Sequence, residues 1–498
     1  MSRTRPIGRI IRELAERSPD RPAVTCGAET ITRGELERRS NQLARAYAGL
    51  GVRHGDLVTI GLPNSVEFFL AVVATWKLGA IPQPVSWRLP ALERQAIVDL
   101  ADSALVVGCD ATDHPYRTCL PSGFSPAPSL ADTALEDRVS PSWKAPTSGG
   151  STGRPKLIVD GLSGDFDAEL GSGLHMRPDD CQLVAGPLYH NGPFSFAFLG
   201  LFIGHHLVVL PRFDAAEAIE TITARSVAWT MMVPTMMQRI LRTVQERDTV
   251  PDLSCLRILL HTAAACPEWV KEGWIELIGA ERLWEIYSGT ESQAMTAING
   301  AEWLQHRGSV GKPVQGEMII MGSDGKPVPP GTVGDIYMRR PPGPAPSYRY
   351  VGAKAQVRDG WESLGDLGWM DEDGYLYLSD RRTDLIVSGG SNVYPAEVEA
   401  ALTQHPAVLT SVVVGLPDPD LGQRVHAVVE VLGEVTPDEL FEHLSLRLVR
   451  YKVPRTIEFS AEPLRDDAGK ARRSAVRDRV IERLSSPPHS GGIHEFAG

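Results

Sequence analysis

Long apolar runs are missing from this chain. The longest, residues 194–210, is interrupted by Gly200, Gly204, His205 and His206, so it reads as a buried helix–strand pair and not as a membrane span. Paired cysteines are missing too: Cys26, Cys109, Cys119, Cys181, Cys255 and Cys266 are scattered without C-x-x-C spacing. That removes a zinc-like grouping and points to reduced thiols. Positive charge is in deficit, 50 Lys and Arg against 62 Asp and Glu, for a formal net charge of -12. Such a balance argues against general nucleic-acid binding, although a local anion site needs only local donors. The opening MSRTRPIGRIIRELAERS is charged and amphipathic and lacks the apolar core and small-residue cleavage site of a signal peptide, so a cytoplasmic location is expected. There is no internal repeat and no long low-complexity tract. At 498 residues with 42% hydrophobic and 22% charged content, the chain is expected to be soluble, with two or more domains.

What is present centres on Thr147-Ser148-Gly149-Gly150-Ser151-Thr152-Gly153-Arg154-Pro155-Lys156. Glycines allow a tight turn and close approach to a ligand, and successive backbone N–H groups can form an anion-binding concavity. Hydroxyls and Lys156 add donors. Arg-Pro between Gly153 and Lys156 excludes a Walker A loop. By composition the stretch is a polyphosphate loop or a Gly/Ser surface turn. Upstream, residues 8–18 form a short amphipathic helix, and Thr32-x-x-Glu35 opens a helix that Gly51 stops. Residues 56–61 read as a strand, Asn64 as the cap of the next helix, and residues 79–82 as a return to strand. This βαβ alternation predicts a mostly parallel sheet with helices on its faces. Residues 110–142 read as a loop-dominated approach to the phosphate loop.

Further segments carry side chains suited to chemistry. Tyr189-His190-Asn191-Gly192 is pinned by Pro and Gly on both sides, and a lone histidine there is structural or functional. The methionine-dense Trp229-Thr230-Met231-Met232-Val233-Pro234-Thr235-Met236-Met237 fits either an adaptable apolar pocket or ordinary core. Then come His261-Thr262-Ala263-Ala264-Ala265, Glu285-Ile286-Tyr287-Ser288-Gly289-Thr290-Glu291, Leu364-Gly365-Asp366, Arg381-Arg382-Thr383-Asp384, Ser388-Gly389-Gly390, and Asp466-Asp467-Ala468-Gly469-Lys470.

In this order the segments resemble the adenylate-forming superfamily: acyl-CoA synthetases, luciferases and peptide-synthetase adenylation domains. The resemblance implies a large α/β N-terminal domain of subdomains with mixed sheets plus a β-barrel-like part, over residues 1–380. A small mobile α/β C-terminal domain would follow over 381–485, and residues 486–498 by themselves read as a disordered tail. It implies ATP, Mg²⁺ and CoA as cofactor and substrates. Thr147, Ser148, Gly149, Gly150, Ser151, Thr152, Gly153 and Lys156 would hold phosphate. Ala263, Ala264, Ala265, Glu285, Tyr287, Ser288 and Gly289 would border the nucleotide, with Tyr287 offering a stacking face. Thr290 would bond the α-phosphate and Glu291 would hold Mg²⁺. Asp366 and Arg381 would contact the ribose. Tyr189, His190, Asn191, Gly192, Val233, Pro234 and Met237 would line the acyl pocket, Ser388, Gly389 and Gly390 would meet CoA, and Thr383 would be the hinge.

Lys470 is implied as the adenylation lysine, beside the reading of a merely charged C-terminal helix. The chain departs from the family pattern at Ser288, Thr383, Asp466 and Asp467. The implied reaction is carboxylate plus ATP giving acyl-adenylate and pyrophosphate, then a thioester and AMP. No aspartate follows the 189–193 segment until Asp214, which argues for an acid without an α-amino group. The methionines and the Asn191-Gly192 turn suggest an apolar, bulky acid, and these segments most resemble ligases for steroid, bile-acid or terpenoid acids, with fatty and aryl acids behind. Three alternatives stand beside it: an enzyme that stops at the adenylate for a carrier protein or partner ligase, a luciferase-like oxidation in the same fold, and a non-catalytic nucleotide-binding protein. A monomer or homodimer is expected.

Overall fold

The computed structural model describes residues 4–149, 155–167, 173–340, 346–467, 469–485 and 494–495. The architecture is α/β. Its largest sheet has nine strands. Cys181–Val184, at its centre, pairs in parallel with His206–Val209 and Trp229–Met232, and the parallel run continues through Ile258–His261 and Leu283–Ser288. Antiparallel strands close both edges. A four-stranded parallel sheet is built on Leu57–Ile60, flanked by Ile81–Pro84 and Leu105–Val107. A five-stranded antiparallel sheet, from Glu317–Met321 to Leu376–Arg381, completes the larger part.

Helices Ile7–Arg17, Arg33–Gly49, Val66–Lys77 and Asn191–Phe202 pack into the first core. Trp76 is its hub: its ring meets Phe198 edge-on at 4.9 Å between centroids, with Phe194 and Phe202 alongside. Each such ring contributes roughly 1.5–3 kcal/mol by leaving water. The 194–210 stretch is therefore a helix–strand pair, Asn191–Phe202 and His206–Val209. No described helix is long and apolar enough to cross a membrane.

The capping box at Thr32 and Glu35 forms. At the next helix the expected cap is displaced by one residue: Ser65, not Asn64, accepts from the Phe68 N–H. Asn64 does different work. Its amide donates to the carbonyls of Gly186 and Leu210 and accepts from the Leu188 N–H. It ties together two loops just ahead of the Tyr189–His190 segment, a task that only an amide with both donor and acceptor can perform.

The smaller part is a six-stranded sheet centred on Gly422–Val431, with Pro395–Thr403, Pro437–Ser445 and Arg473–Ser485 as helices. Proline stands in the first turn of two of them, where no backbone donor is needed. In the tail expected to be disordered, His494–Glu495 pairs antiparallel with Ile457 and Thr456. The free edge of that strand offers backbone partners. The rest of the tail lies outside the described residues.

Candidate active site

The phosphate-loop stretch begins and ends in paired strands. Thr147–Gly149 pairs antiparallel with Pro155–Asp160, setting Ser148 opposite Lys156. Gly150, Ser151, Thr152 and Gly153 lie outside the described residues. This pairing aims Lys156 at Glu291: Nζ stands 3.3 Å from Oε1 and 4.1 Å from the centre of the Tyr350 ring. Tyr350 donates its hydroxyl to the same carboxylate oxygen at 2.5 Å. Tyr350 was not among the expected site residues. It arrives because Tyr348–Val351 pairs with Pro155–Asp160, Tyr350 opposite Ile158. Burial, and then the Glu291 carboxylate, push its phenol far above the usual range.

Glu291 is buried, with Oε1 committed to Lys156 and Tyr350. Oε2 has no hydrogen bond among the described residues. No cluster of three His, Cys, Asp or Glu is found among them. One hard oxygen beside a phosphate loop fits Mg²⁺, which binds through one or two carboxylates and substrate phosphates.

The nucleotide-side segments converge on Asp366. Tyr287 donates its hydroxyl to Oδ2 at 2.7 Å, and Arg381 Nε stands 3.3 Å from Oδ1. Ser288, in contrast, turns its hydroxyl back to the carbonyls of Gly289 and Ala294, which leaves its backbone alone to face a ligand. Gly289 packs beneath Leu364, with Thr290 half-buried after it. Ala263 opens the strip of Ala263, Ala264 and Ala265 at φ 79. A side-chain-bearing residue held in the left-handed region is a strain that clusters at ligand sites. Glu285 faces inward. Its carboxylate is paired with Lys271 and lies 3.8 Å from His261 Nδ1, which has no hydrogen bond. Burial raises its pKa, and its pairing with Lys271 ties the carboxylate to helix Glu268–Ile278.

On the acyl side, Tyr189 and His190 have ring centroids 4.4 Å apart. Burial, and secondarily the Lys470 charge, lowers the His190 pKa to about 3. Its Nε2 is buried and without a partner, 3.9 Å from Asp466 Oδ2. Asn191 and Gly192 start the following helix. A Cβ on Gly192 would lie 2.6 Å from Met231 Cε, so Met231 closes the pocket at that point. Val233 and Met237, expected in the pocket, are instead enclosed in the helix-side core with Trp274 and Val270, and Pro234 occupies the first turn of Pro234–Gln245. On the strand just before them, Met231 and Met232 point to opposite faces of the sheet.

Lys470 comes from the smaller part. Asp466 builds the turn that presents it: Oδ1 accepts from the Lys470 N–H at 2.9 Å, and its backbone bonds Lys470 and Gly469. Gly469 adopts φ 73, and a Cβ there would meet Thr235 Oγ1 at 2.7 Å. Lys470 lines an open cleft with solvent access, and desolvation lowers its pKa against the attraction of Asp466. Arg381 and Glu291 also act on it. Contacts between the two parts hold this arrangement: Arg88 with Asp467 at 2.7 Å, Arg472 with Glu93 at 3.3 Å, and Arg242 to the Val408 carbonyl at 2.6 Å.

Thr383 is exposed between two anchored neighbours. Arg382 is held by Asp335 of the larger part, and Asp384 by Arg473 of the smaller. Ser388 is buried, whereas Gly389 and Gly390 are exposed on the smaller part.

Residues 11–349 match the model of the AMP-binding enzyme family and residues 397–470 that of its C-terminal domain. The chain is 30% identical over 476 residues to the 2-succinylbenzoate–CoA ligase of Bacillus mycoides, covering 93% of this chain and 97% of that ligase. Among solved structures it is similar to the o-succinylbenzoate CoA synthetase of Bacillus subtilis in complex with its acyl-adenylate intermediate, with TM-score 0.80 and 25% identity over 98% of this chain and 99% of the other. The same synthetase with ATP and magnesium ion gives TM-score 0.79 and 27% identity over 95% and 99% of the two chains. The motif order, the shared cleft and these matches make the chain a member of the AMP-binding enzyme family, within the adenylate-forming group.

Proposed function

We propose that this chain is an AMP-forming acid–thiol ligase that joins a carboxylic acid to CoA. An acid oxygen attacks the α-phosphorus of ATP, the bond to the β,γ-phosphates breaks, and pyrophosphate leaves. The CoA thiol then attacks the acyl carbon, loses its proton, and AMP departs with the former carboxylate oxygen. The observation that carries this reading is Lys470 in one cleft with Glu291, Arg381 and His190, delivered by the turn that Asp466 builds.

A carboxylate and a triphosphate repel, so catalysis here is charge neutralisation and positioning. Lys470 and Lys156 supply fixed positive charge, and Thr290 a donor for the α-phosphate. Mg²⁺ at Glu291 would neutralise phosphate oxygens. Asp366, oriented by Tyr287 and Arg381, accepts from the ribose. His190 is neutral at working pH, so it borders the reacting carboxylate without adding charge. Thr383, between its two anchors, is the pivot about which the smaller part would turn to bring Ser388, Gly389 and Gly390 to the thiol substrate.

The relatives give no support to a steroid or terpenoid acid. The Met231 wall over Gly192 and the loss of Val233 and Met237 to the core favour a compact acid, and the relatives' succinylbenzoate makes an aryl acid the reading best supported. Lys470→Ala is expected to lower ATP–pyrophosphate exchange by about a thousandfold while premade acyl-adenylate still yields thioester. Loss of both half-reactions in a folded protein would overturn the assignment.

A further inference from the structure

The acyl side holds a charge that the reaction outlined above does not use. Lys144 lies just ahead of the phosphate-loop stretch and is 4% exposed. Its ammonium reaches Asn191 Oδ1 and Ser195 Oγ at 2.6 Å each, with Asp160 Oδ2 at 3.6 Å. Ser195 adds a longer contact of 3.4 Å to the same amide oxygen. Asn191 and Ser195 sit one turn apart at the start of Asn191–Phe202, so the ammonium clamps the first turn of the helix that follows His190.

This clamp fixes the amide's orientation. An ammonium has three donors and no acceptor, so only the carbonyl oxygen of Asn191 can face it. The Asn191 Nδ2 group is then turned away from Lys144, with two N–H donors and no acceptor among the described residues. Asn191 is itself partly exposed, so the group is not sealed in the core. Its neighbours are His190 on one side and Gly192, under Met231, on the other. The other walls around Met231 are apolar, with Trp229 and Phe196 in the same cluster. A donor pair beside His190 on a mostly apolar wall is selective, because an acyl group without an acceptor covers those donors and leaves them unpaired. Asp160 balances the Lys144 charge, so the clamp exposes a neutral donor and no net charge.

We infer that Asn191, positioned by Lys144, is a specificity-determining donor for an acyl group that carries an oxygen acceptor beyond its reacting carboxylate: a keto, hydroxyl or second carboxylate oxygen. This rests on the ligase reading and names the substrate class for that site.

The test uses matched acids that differ by one acceptor, 4-oxo-4-phenylbutanoate against 4-phenylbutanoate and 10-hydroxydecanoate against decanoate, with 2-succinylbenzoate as a doubly oxygenated acid. Pyrophosphate release gives kcat/KM for each. The wild type is expected to prefer the oxygenated member of at least one pair by tenfold or more. Asn191→Asp keeps the bond to Lys144 but replaces the outward donor by an acceptor, and that preference is expected to fall at least tenfold. Lys144→Met frees the amide and is expected to erode the same preference through KM. Both variants are checked for folding by thermal melting and for ATP binding.

A structural role alone would lower both members of a pair together and leave their ratio unchanged, which would overturn the inference. Equal use of both members of every pair by the wild type would do the same, with the ligase reading intact. No exchange with any acid, in folded protein that binds ATP, would overturn the ligase reading and this inference with it.

Discussion

The nucleotide side and the acyl side of this cleft are built on different principles. On the nucleotide side, carboxylates and a phenol hold one another through direct bonds: Tyr287 and Arg381 on Asp366, Lys156 and Tyr350 on Glu291. Each group is held in place by another polar group bonded directly to it. On the acyl side, the orienting charge, Lys144, is hidden behind the wall, and what reaches the cleft is a neutral amide, a neutral imidazole and a methionine. The difference follows the ligands. Polyphosphate needs fixed charge at the reacting centre, whereas a carboxylate's apolar body needs shape, with few polar groups to set its orientation.

Four experiments probe that contrast. The largest effect is expected at Glu291→Gln, which removes the carboxylate proposed to hold Mg²⁺. Adenylation should fall about a hundredfold with a weakened Mg²⁺ response, and an unchanged Mg²⁺ titration would break the nucleotide-side account. Next, Tyr350→Phe removes a hydrogen bond to the charged Glu291. About a tenfold loss of adenylation is expected, concentrated in the apparent Mg²⁺ affinity; an effect confined to the acid's KM would assign Tyr350 to the other side. Third, Asp467→Asn breaks the bridge to Arg88, which is half exposed on both partners. Adenylation should drop roughly two- to fivefold, and the same loss should appear in wild type as salt is raised.

The fourth expects no change in rate. Burial lowers His190 to about 3, so the ring is already neutral throughout the physiological range. The adenylation profile should show no inflection near pH 6.5. Stability carries the signature instead. Burial also lowers His426 to about 3 and His205 to about 4. The unfolded chain binds these protons at the ordinary histidine value and the folded chain does not. Stability is therefore complete above about pH 6.5 and declines as the pH falls toward those lowered values. A flat unfolding free energy across that window would contradict the burial of the three rings.

The nucleotide side was the more legible in sequence because its residue types are few and their chemistry is local. Tyr287, Glu291, Asp366, Arg381 and Lys470 could be named from short segments, and the structure places them around one cleft. Tyr350 escaped because its position depends on pairing with a strand almost two hundred residues earlier, a register that no short segment encodes. Lys144 escaped for a similar reason: a lysine between a tryptophan and an alanine gives no local sign of being buried against Asn191 and Ser195. The methionine stretch was ambiguous in composition, which fitted pocket and core alike; the alternation of a buried parallel strand sent Met232 into the core and left Met231 over Gly192.

The order of segments along the chain pointed to the family and to the alternation of strands and helices, and it named the candidate groups on the nucleotide side. Those depend on spacing and side-chain type, which the sequence carries directly. Folding in three dimensions decided which of those groups are open to a ligand and which are consumed by neighbours: Glu285 by Lys271, Ser288 by backbone carbonyls, Asp466 by the turn it caps, Asn191 by Lys144 on one of its two faces. The reason is physical. Whether a polar atom is free or satisfied depends on donors and acceptors brought within about 3 Å by distant chain, and only packing fixes those distances.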